Sequence, residues 1–308
     1  MSAPLSMWIV FVAVIGLLMY VDLGILNRKS HAIGMKEAGL MVLGWVGIAL
    51  CFNLLVWWRM GAEPALMFLT GYIIEYSLSM DNMFVFVMIF SYFAVPAQYQ
   101  PRVLHWGIIG AVLMRLILIM AGVRLVLAFS WIIYVFGVIL IYTAVKMMTH
   151  DSGSVDPGGN PVLRLFKKFM PFTAEPHGEK FFVRKGGLFA TPLFATLLVV
   201  EASDLIFAVD SIPAILGITQ NAFIVYSSNV FAIMGLRALY FMLAGMMDMF
   251  CYLKYGIGVI LLFVGVKMLL SGVFHISTGV SLAVVVLVLL GSVLASLAHS
   301  KKNRETNA

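Results

Sequence analysis

Five carboxylates stand in parts of this chain that otherwise carry almost no charge. Glu75 and Asp81 lie within an apolar run over residues 65–93, and Glu201, Asp204 and Asp210 within a second run over residues 188–217. Placing an acid at the centre of a membrane-length apolar segment costs at least ~2.5 kcal/mol. Such a group takes up a proton, pairs with a cationic side chain or binds a cation. The two stretches share a spacing, with an acid six residues before an aspartate: Glu75 before Asp81, and Asp204 before Asp210. A small polar residue follows each aspartate, Asn82 in one case and Ser211 in the other.

Against the five acids, only Arg115 and Arg237 occur at comparable depth in apolar segments, so the fully ionised set carries a net negative charge. Two readings are open from the residues alone. The arginines could pair with acids and hold helices together, which leaves three acids over. Alternatively, a divalent cation and one or more protons bring the set towards neutrality. The neighbouring donors are oxygens: Ser77, Ser79 and Asn82 in one stretch, Ser203 and Ser211 in the other, and Asn229 further on. Oxygen donors suit Mg²⁺, Ca²⁺ or Mn²⁺, and no His or Cys stands beside the acids to favour Zn²⁺ or Cu⁺. Asp22, at the end of the first apolar run, is a candidate for the cytoplasmic mouth of a pathway, or a solvated helix end.

On a regular helix, residues six apart are separated by about 9 Å and turned by about 240°, so they do not share a face. Either the helix unwinds between them or they serve successive positions along a path. Glu201 and Asp204, three apart, do share a face. Pro213 would free a carbonyl one turn upstream. The expectation is a break in the third and sixth spans, with freed carbonyls joining the carboxylates as ligands.

The elements that position these residues are membrane helices. The chain of 308 residues is 62% hydrophobic and 11% charged, with mean hydropathy +1.04; soluble domains carry about 25% charged residues. Nine spans are expected, near 7–26, 38–57, 65–93, 103–121, 125–148, 188–217, 222–246, 252–271 and 280–298. Only helices or closed barrels satisfy their backbone in lipid, and these runs lack the alternation of barrel strands. The expected fold is therefore an all-α polytopic transmembrane bundle. The N-terminal residues 1–6 lack the basic region of a cleaved signal, so the first run is expected to be a retained helix. Cys51 and Cys251 form no CxxC or disulfide framework.

The lysines and arginines set the orientation. Arg28, Lys29, Lys36, Arg102, Lys146, Arg164, Lys167, Lys168, Lys180, Arg184, Lys185, Lys254, Lys301, Lys302 and Arg304 fall on one side. Arg59, Arg124 and Lys267 fall on the other. This predicts an outer N-terminus and a cytoplasmic C-terminus. The net charge of +6 is thus spent on topology, and no basic stripe with interleaved aromatics points to nucleic acid. The chain reads as two N-terminal helices (1–64), a first repeat (65–148), a cytoplasmic linker (149–187), a second repeat (188–271), and a last helix with its tail (272–308). The linker holds a short amphipathic piece, residues 162–170.

The halves share a series. Asp81 is followed by Arg115 inside a span and Lys146 at a span's end; Asp210 is followed by Arg237 and Lys267 likewise. Val145-Lys146-Met147 and Val266-Lys267-Met268 close the two. Spans three to five and six to eight then form two inverted three-helix repeats, a transporter plan that holds substrate near the midplane.

The stretches Gly71-Tyr72-Ile73-Ile74-Glu75-Tyr76-Ser77-Leu78-Ser79-Met80-Asp81-Asn82 and Glu201-Ala202-Ser203-Asp204-Leu205-Ile206-Phe207-Ala208-Val209-Asp210-Ser211 resemble those of the TerC family of bacterial integral membrane proteins, and within it the Alx-type members. The resemblance covers nearly the whole chain. It implies a bacterial inner-membrane location, a LysE-like exporter fold, an association with manganese efflux and tellurium resistance, and metal ligands at Glu75, Asp81, Glu201, Asp204 and Asp210. The combined expectation is a proton-coupled exporter of Mn²⁺. Alternatives are exchange of Ca²⁺ or another divalent cation for protons, a tellurium-resistance factor, or an assembly factor for other membrane proteins. No P-loop, HExxH or nucleophile–base pair argues for an enzyme. No resident cofactor is expected; the partners are the lipid bilayer and the divalent cation.

Overall fold

The computed structural model describes residues 4–21, 34–129, 131–149, 161–173, 178–184, 187–244, 252–274 and 276–306. Asp22, the proposed mouth residue, lies outside the described residues. Helices dominate: α1 (Leu5–Val21), α2 (Met35–Met60), α3 (Ala62–Tyr92), α4 (Gln100–Ala128), α5 (Ile132–Thr149), α6 (Pro161–Phe169), α7 (Pro192–Leu216), α8 (Ala222–Met234), α9 (Leu236–Ala244), α10 (Leu253–Leu270) and α11 (Thr278–Thr306). Seven of these are long and apolar enough to cross a bilayer, and α8 with α9, bent by 42° to each other, makes an eighth if the pair is counted as one span. The expected first span appears as α1, 17 residues long, and is shorter than the others. The architecture is an all-α polytopic membrane bundle.

Large apolar side chains face outward along the spans, among them Leu113, Ile117, Leu287 and Leu294, because lipid is as apolar as the protein interior. Exposed Trp57, Trp58, Trp106 and Trp131 sit near helix ends, where interfacial aromatics collect. An aromatic core binds α1 to the bundle. Met7, Phe11 and Ile15 form its buried stripe, and Phe11 meets Phe52, Phe223 and Phe231 at 6.0–6.1 Å.

Several sequence expectations are corrected. The third and sixth spans do not break: α3 runs unbroken for 31 residues and α7 for 25. Pro213 lies in the last turn of α7; its missing N–H gives up one i−4 bond, yet the helix continues through it to Leu216. The break falls in the seventh span, at Gly235 between α8 and α9. A Cβ there would come within 3.2 Å of the Tyr76 ring. The boundary between the fourth and fifth spans also moves. It falls at residues 129–131, so Arg124 belongs to the end of α4 instead of a loop. Between α2 and α3 only Gly61 intervenes, at φ 95°, a left-handed conformation that favours glycine.

The linker holds α6, close to the expected amphipathic piece, and β1 (Phe182–Arg184), which pairs as an antiparallel hairpin with β2 (Leu188–Ala190); β2 takes up the expected start of the sixth span at 188, and α7 begins only at Pro192. Hydropathy gave no sign of the hairpin. Lys146 and Lys267 fall in the last turns of α5 and α10, as the spacing anticipated.

Helices of the two halves interleave. α3 packs on α7 and α8, α4 on α7 and α8, and α5 on α10. The α5–α10 crossing is close because both helices place glycine there. A Cβ on Gly137 would lie 3.0 Å from the Gly265 carbonyl oxygen, and one on Gly265 would lie 2.8 Å from that of Gly137. Small residues let membrane helices approach in this way.

Candidate functional site

The interleaving brings charge from both halves to one buried point. Arg115, on α4, is fully buried. Its Nη1 donates to Glu75 Oε1 of α3 at 2.5 Å and to Ser211 Oγ of α7 at 2.9 Å. Its Nη2 donates to Asp204 Oδ1 of α7 at 3.3 Å. Asn229 of α8 donates from Nδ2 to Glu75 Oε2 at 2.9 Å. Both Glu75 oxygens are therefore bonded, one to a guanidinium and one to an amide. A planar guanidinium suits the position, since it presents several donors in a fixed fork. Four helices meet here through side chains alone.

The arrangement is incompletely satisfied. Asp204 Oδ2, Asn229 Oδ1, Arg115 Nε and Ser79 Oγ are buried without a hydrogen-bond partner among the described residues. Such groups are uncommon in native interiors and each calls for an explanation. Asp204 also lines a small cavity with Glu201, Arg237, Gly107, Phe86 and Leu236. Its volume of about 20 Å³ is room for one water molecule or one ion. Glu201 rests its carboxylate against α4, and a Cβ on Gly110 would overlap that carboxylate. Gly110 is thus a seat for Glu201.

The residues singled out from the sequence divide into groups. Glu75, Asp204, Arg115, Ser211 and Asn229 come together in one network, and Glu201 and Arg237 adjoin it at the cavity. Ser77 and Ser203 do not join. Each hydroxyl donates to a carbonyl of its own helix, Ser77 to Ile73 at 2.5 Å and Ser203 to Val199 at 2.8 Å. The expectation that they support the site is corrected by this local bonding, which is common for serine inside helices. Asn82 is half-buried on α3. Asp81 and Asp210 are described through their backbone only, within α3 and α7; their side chains lie outside the described residues. Among the described residues no group of three or more His, Cys, Asp or Glu side chains is placed to hold a metal ion; Arg115 stands between Glu75 and Asp204.

Gly107 and Gly110 were not anticipated. Two glycines three apart in one span signal a close approach to α4, and that signal was present in the sequence. Buried Tyr72 and half-buried Tyr76, whose rings stack at 5.6 Å, also have buried hydroxyls without a partner among the described residues. No local sequence pattern marks them.

On the side of α3's first turn, a pocket of about 730 Å³ opens among the ends of α3, α4, α5, α7 and α10. Glu63, Thr219, Gln220, Lys267 and Ser271 are among its lining residues. The opposite side carries the linker unit. Arg102 of α4 pairs there with Glu179 at 2.7 Å, and Thr191 Oγ1 donates to the Lys180 carbonyl at 2.7 Å.

Long apolar spans enclosing a charged network at their centre define a polytopic integral membrane protein with a buried ionic site. The chain belongs to the TerC family: the model described as "Integral membrane protein TerC family" matches residues 60–304. A relative in Escherichia coli K12, named "Putative membrane-bound redox modulator Alx", is 47% identical over 91% of this chain and 90% of its own length. The membrane protein STKORF319 of Myxococcus xanthus is 47% identical over 96% and 93%. A membrane protein of Rickettsia bellii is 40% identical over 94% and 96%. No solved structure matches the chain.

Proposed function

We propose that this protein is a secondary carrier, and not an enzyme, that exports Mn²⁺ from the cytoplasm in exchange for protons. The observation that carries the reading is the sharing of Arg115 by Glu75 and Asp204, two acids contributed by different halves of the chain. A guanidinium between two buried carboxylates stands where a divalent cation would bind. In this reading the cation enters as Arg115 gives way, and the acids pass between arginine, metal and proton. A buried charge left without any partner is costly, so each exchange must be concerted.

The packing supports the inverted-repeat plan. α3 meets α8 as α4 meets α7, and the two third helices, α5 and α10, meet each other. The pocket on one side and the linker unit on the other support a path that opens to one side at a time, with the N-terminus outside and the linker in the cytoplasm. The redox role in the name of the Escherichia coli relative is compatible with control of a redox-active cation, without a redox-active residue pair.

The test is uptake of Mn²⁺ into inside-out vesicles carrying the protein, read together with a pH-sensitive dye. Metal entry with proton movement in the opposite direction is expected. Asp81→Asn or Asp210→Asn should abolish it while the protein remains at normal abundance. Wild-type uptake by either variant would remove these acids from the mechanism, and a preference for Ca²⁺ over Mn²⁺ would overturn the substrate assignment.

A further inference from the structure

We propose that the linker unit, α6 with the β1–β2 hairpin, is a docking surface for the anionic headgroups of the surrounding bilayer. α6 is amphipathic. Leu163 is buried against the bundle, whereas Leu165 and Phe166 are exposed. Arg164 and Lys168, one turn apart, are exposed beside them. The hairpin register sets Arg184 opposite Leu188 and Phe182 opposite Ala190, so Phe182, Arg184 and Leu188 share a face. All three are exposed. The unit therefore shows apolar side chains set between basic ones, the composition of a surface that lies in the headgroup region.

Its depth follows from its contacts. The rings of Phe166 and Phe182 lie 6.2 and 4.5 Å from that of Phe194, which sits in the first turn of α7. The exposed apolar patch is thus continuous with the start of a span. The Arg102–Glu179 pair ties the same unit to the start of α4. Span ends are where hydrocarbon gives way to headgroups. An acidic soluble protein would also meet the basic side chains. It would not account for Leu165, Phe166 and Leu188 standing exposed at that level, whereas a bilayer surface takes up both kinds of side chain.

The experiment uses the full chain with Cys51→Ser and Cys251→Ser, and with Leu165→Cys carrying an environment-sensitive fluorophore. It is reconstituted in bilayers of phosphatidylcholine with or without phosphatidylglycerol. Phosphatidylglycerol is expected to shift the emission to the blue and to reduce quenching by aqueous acrylamide several-fold; high salt should reverse both. Neutralising Arg164, Lys168 and Arg184 together to Gln should erase the difference, each basic side chain being worth roughly fivefold in attraction to anionic lipid. If that variant does not fold, the salt titration of the labelled protein decides the question. Equal quenching in the two bilayers, or a difference that survives neutralisation or high salt, would overturn the proposal. So would shielding that appears only when an acidic protein is added, which would assign the surface to a protein partner.

Discussion

Glu75 and Glu201 are both glutamates in the middle of a span, one on α3 and the other on α7, yet their surroundings differ. Glu75 is fully buried, and each of its oxygens accepts a bond from a side chain of another helix. Glu201 is half-buried, leans on the glycines of α4 and lines a cavity together with Asp204 and Arg237. The α3 acid is clamped; the α7 pair has room beside it and an unused oxygen, Asp204 Oδ2. Within one shared network, Glu75 is thus the more tightly held acid, and the α7 pair is the side with room for charge to be exchanged first.

The contrast is most exposed to failure at Arg115, which serves both sides. Arg115→Met leaves Glu75 and Asp204 buried without their cation, and should destabilise the protein by about 3–5 kcal/mol, read by thermal unfolding in detergent. Arg115→Lys should recover only part of this, because an ammonium cannot reproduce the fork. Wild-type unfolding of Arg115→Met would mean that the network is not the anchor. On the α7 side, Gly110→Ala sets a methyl group where the Glu201 carboxylate rests; that carboxylate ends a flexible side chain and should swing aside at little cost in stability, so the expected loss is most of the transport. Gly39→Ala on α2 meets nothing within 4 Å. It should be neutral or stabilise by up to ~1 kcal/mol, which makes it the control for helix propensity.

Two smaller effects sharpen the distinction. Asn229→Ala removes the amide from Glu75 Oε2 and should cost about 1–3 kcal/mol. Ser203→Ala, which gives up only a bond within α7, should stay within about 0.5 kcal/mol of wild type. Equal losses for these two variants would show that bonds between helices count for no more here than local ones. The smallest change is expected at Arg102→Ala. Its pair with Glu179 has side chains 40% and 41% exposed, and exposed ion pairs are worth at most about 1 kcal/mol.

Much of the site was legible in the residues. Glu75, Glu201, Asp204, the two arginines, Ser211 and Asn229 all stand out because polar groups in apolar spans are costly and few. Their partners were not legible. The six-residue spacing suggested unwound helices, but α3 and α7 stay regular, and Glu75 and Asp204 find their donors, Arg115 and Asn229, on neighbouring helices. The serines misled for the opposite reason: Ser77 and Ser203 satisfy themselves on their own helices. Gly110 was overlooked because a glycine in a span carries no charge to draw notice, although its spacing from Gly107 was there to be read.

The sequence by itself determined the spans, their approximate ends and the polar residues among them, because hydropathy is a property of each segment taken alone. Tertiary structure decided which acid meets which cation. Arg115 reaches Glu75 across 40 positions and Asp204 across 89, and Asn229 reaches Glu75 across 154. Contacts at such separations depend on how α3, α4, α7 and α8 pack. That packing follows from the shapes of whole helix faces, with glycines where two backbones approach, and no local pattern of residues encodes it.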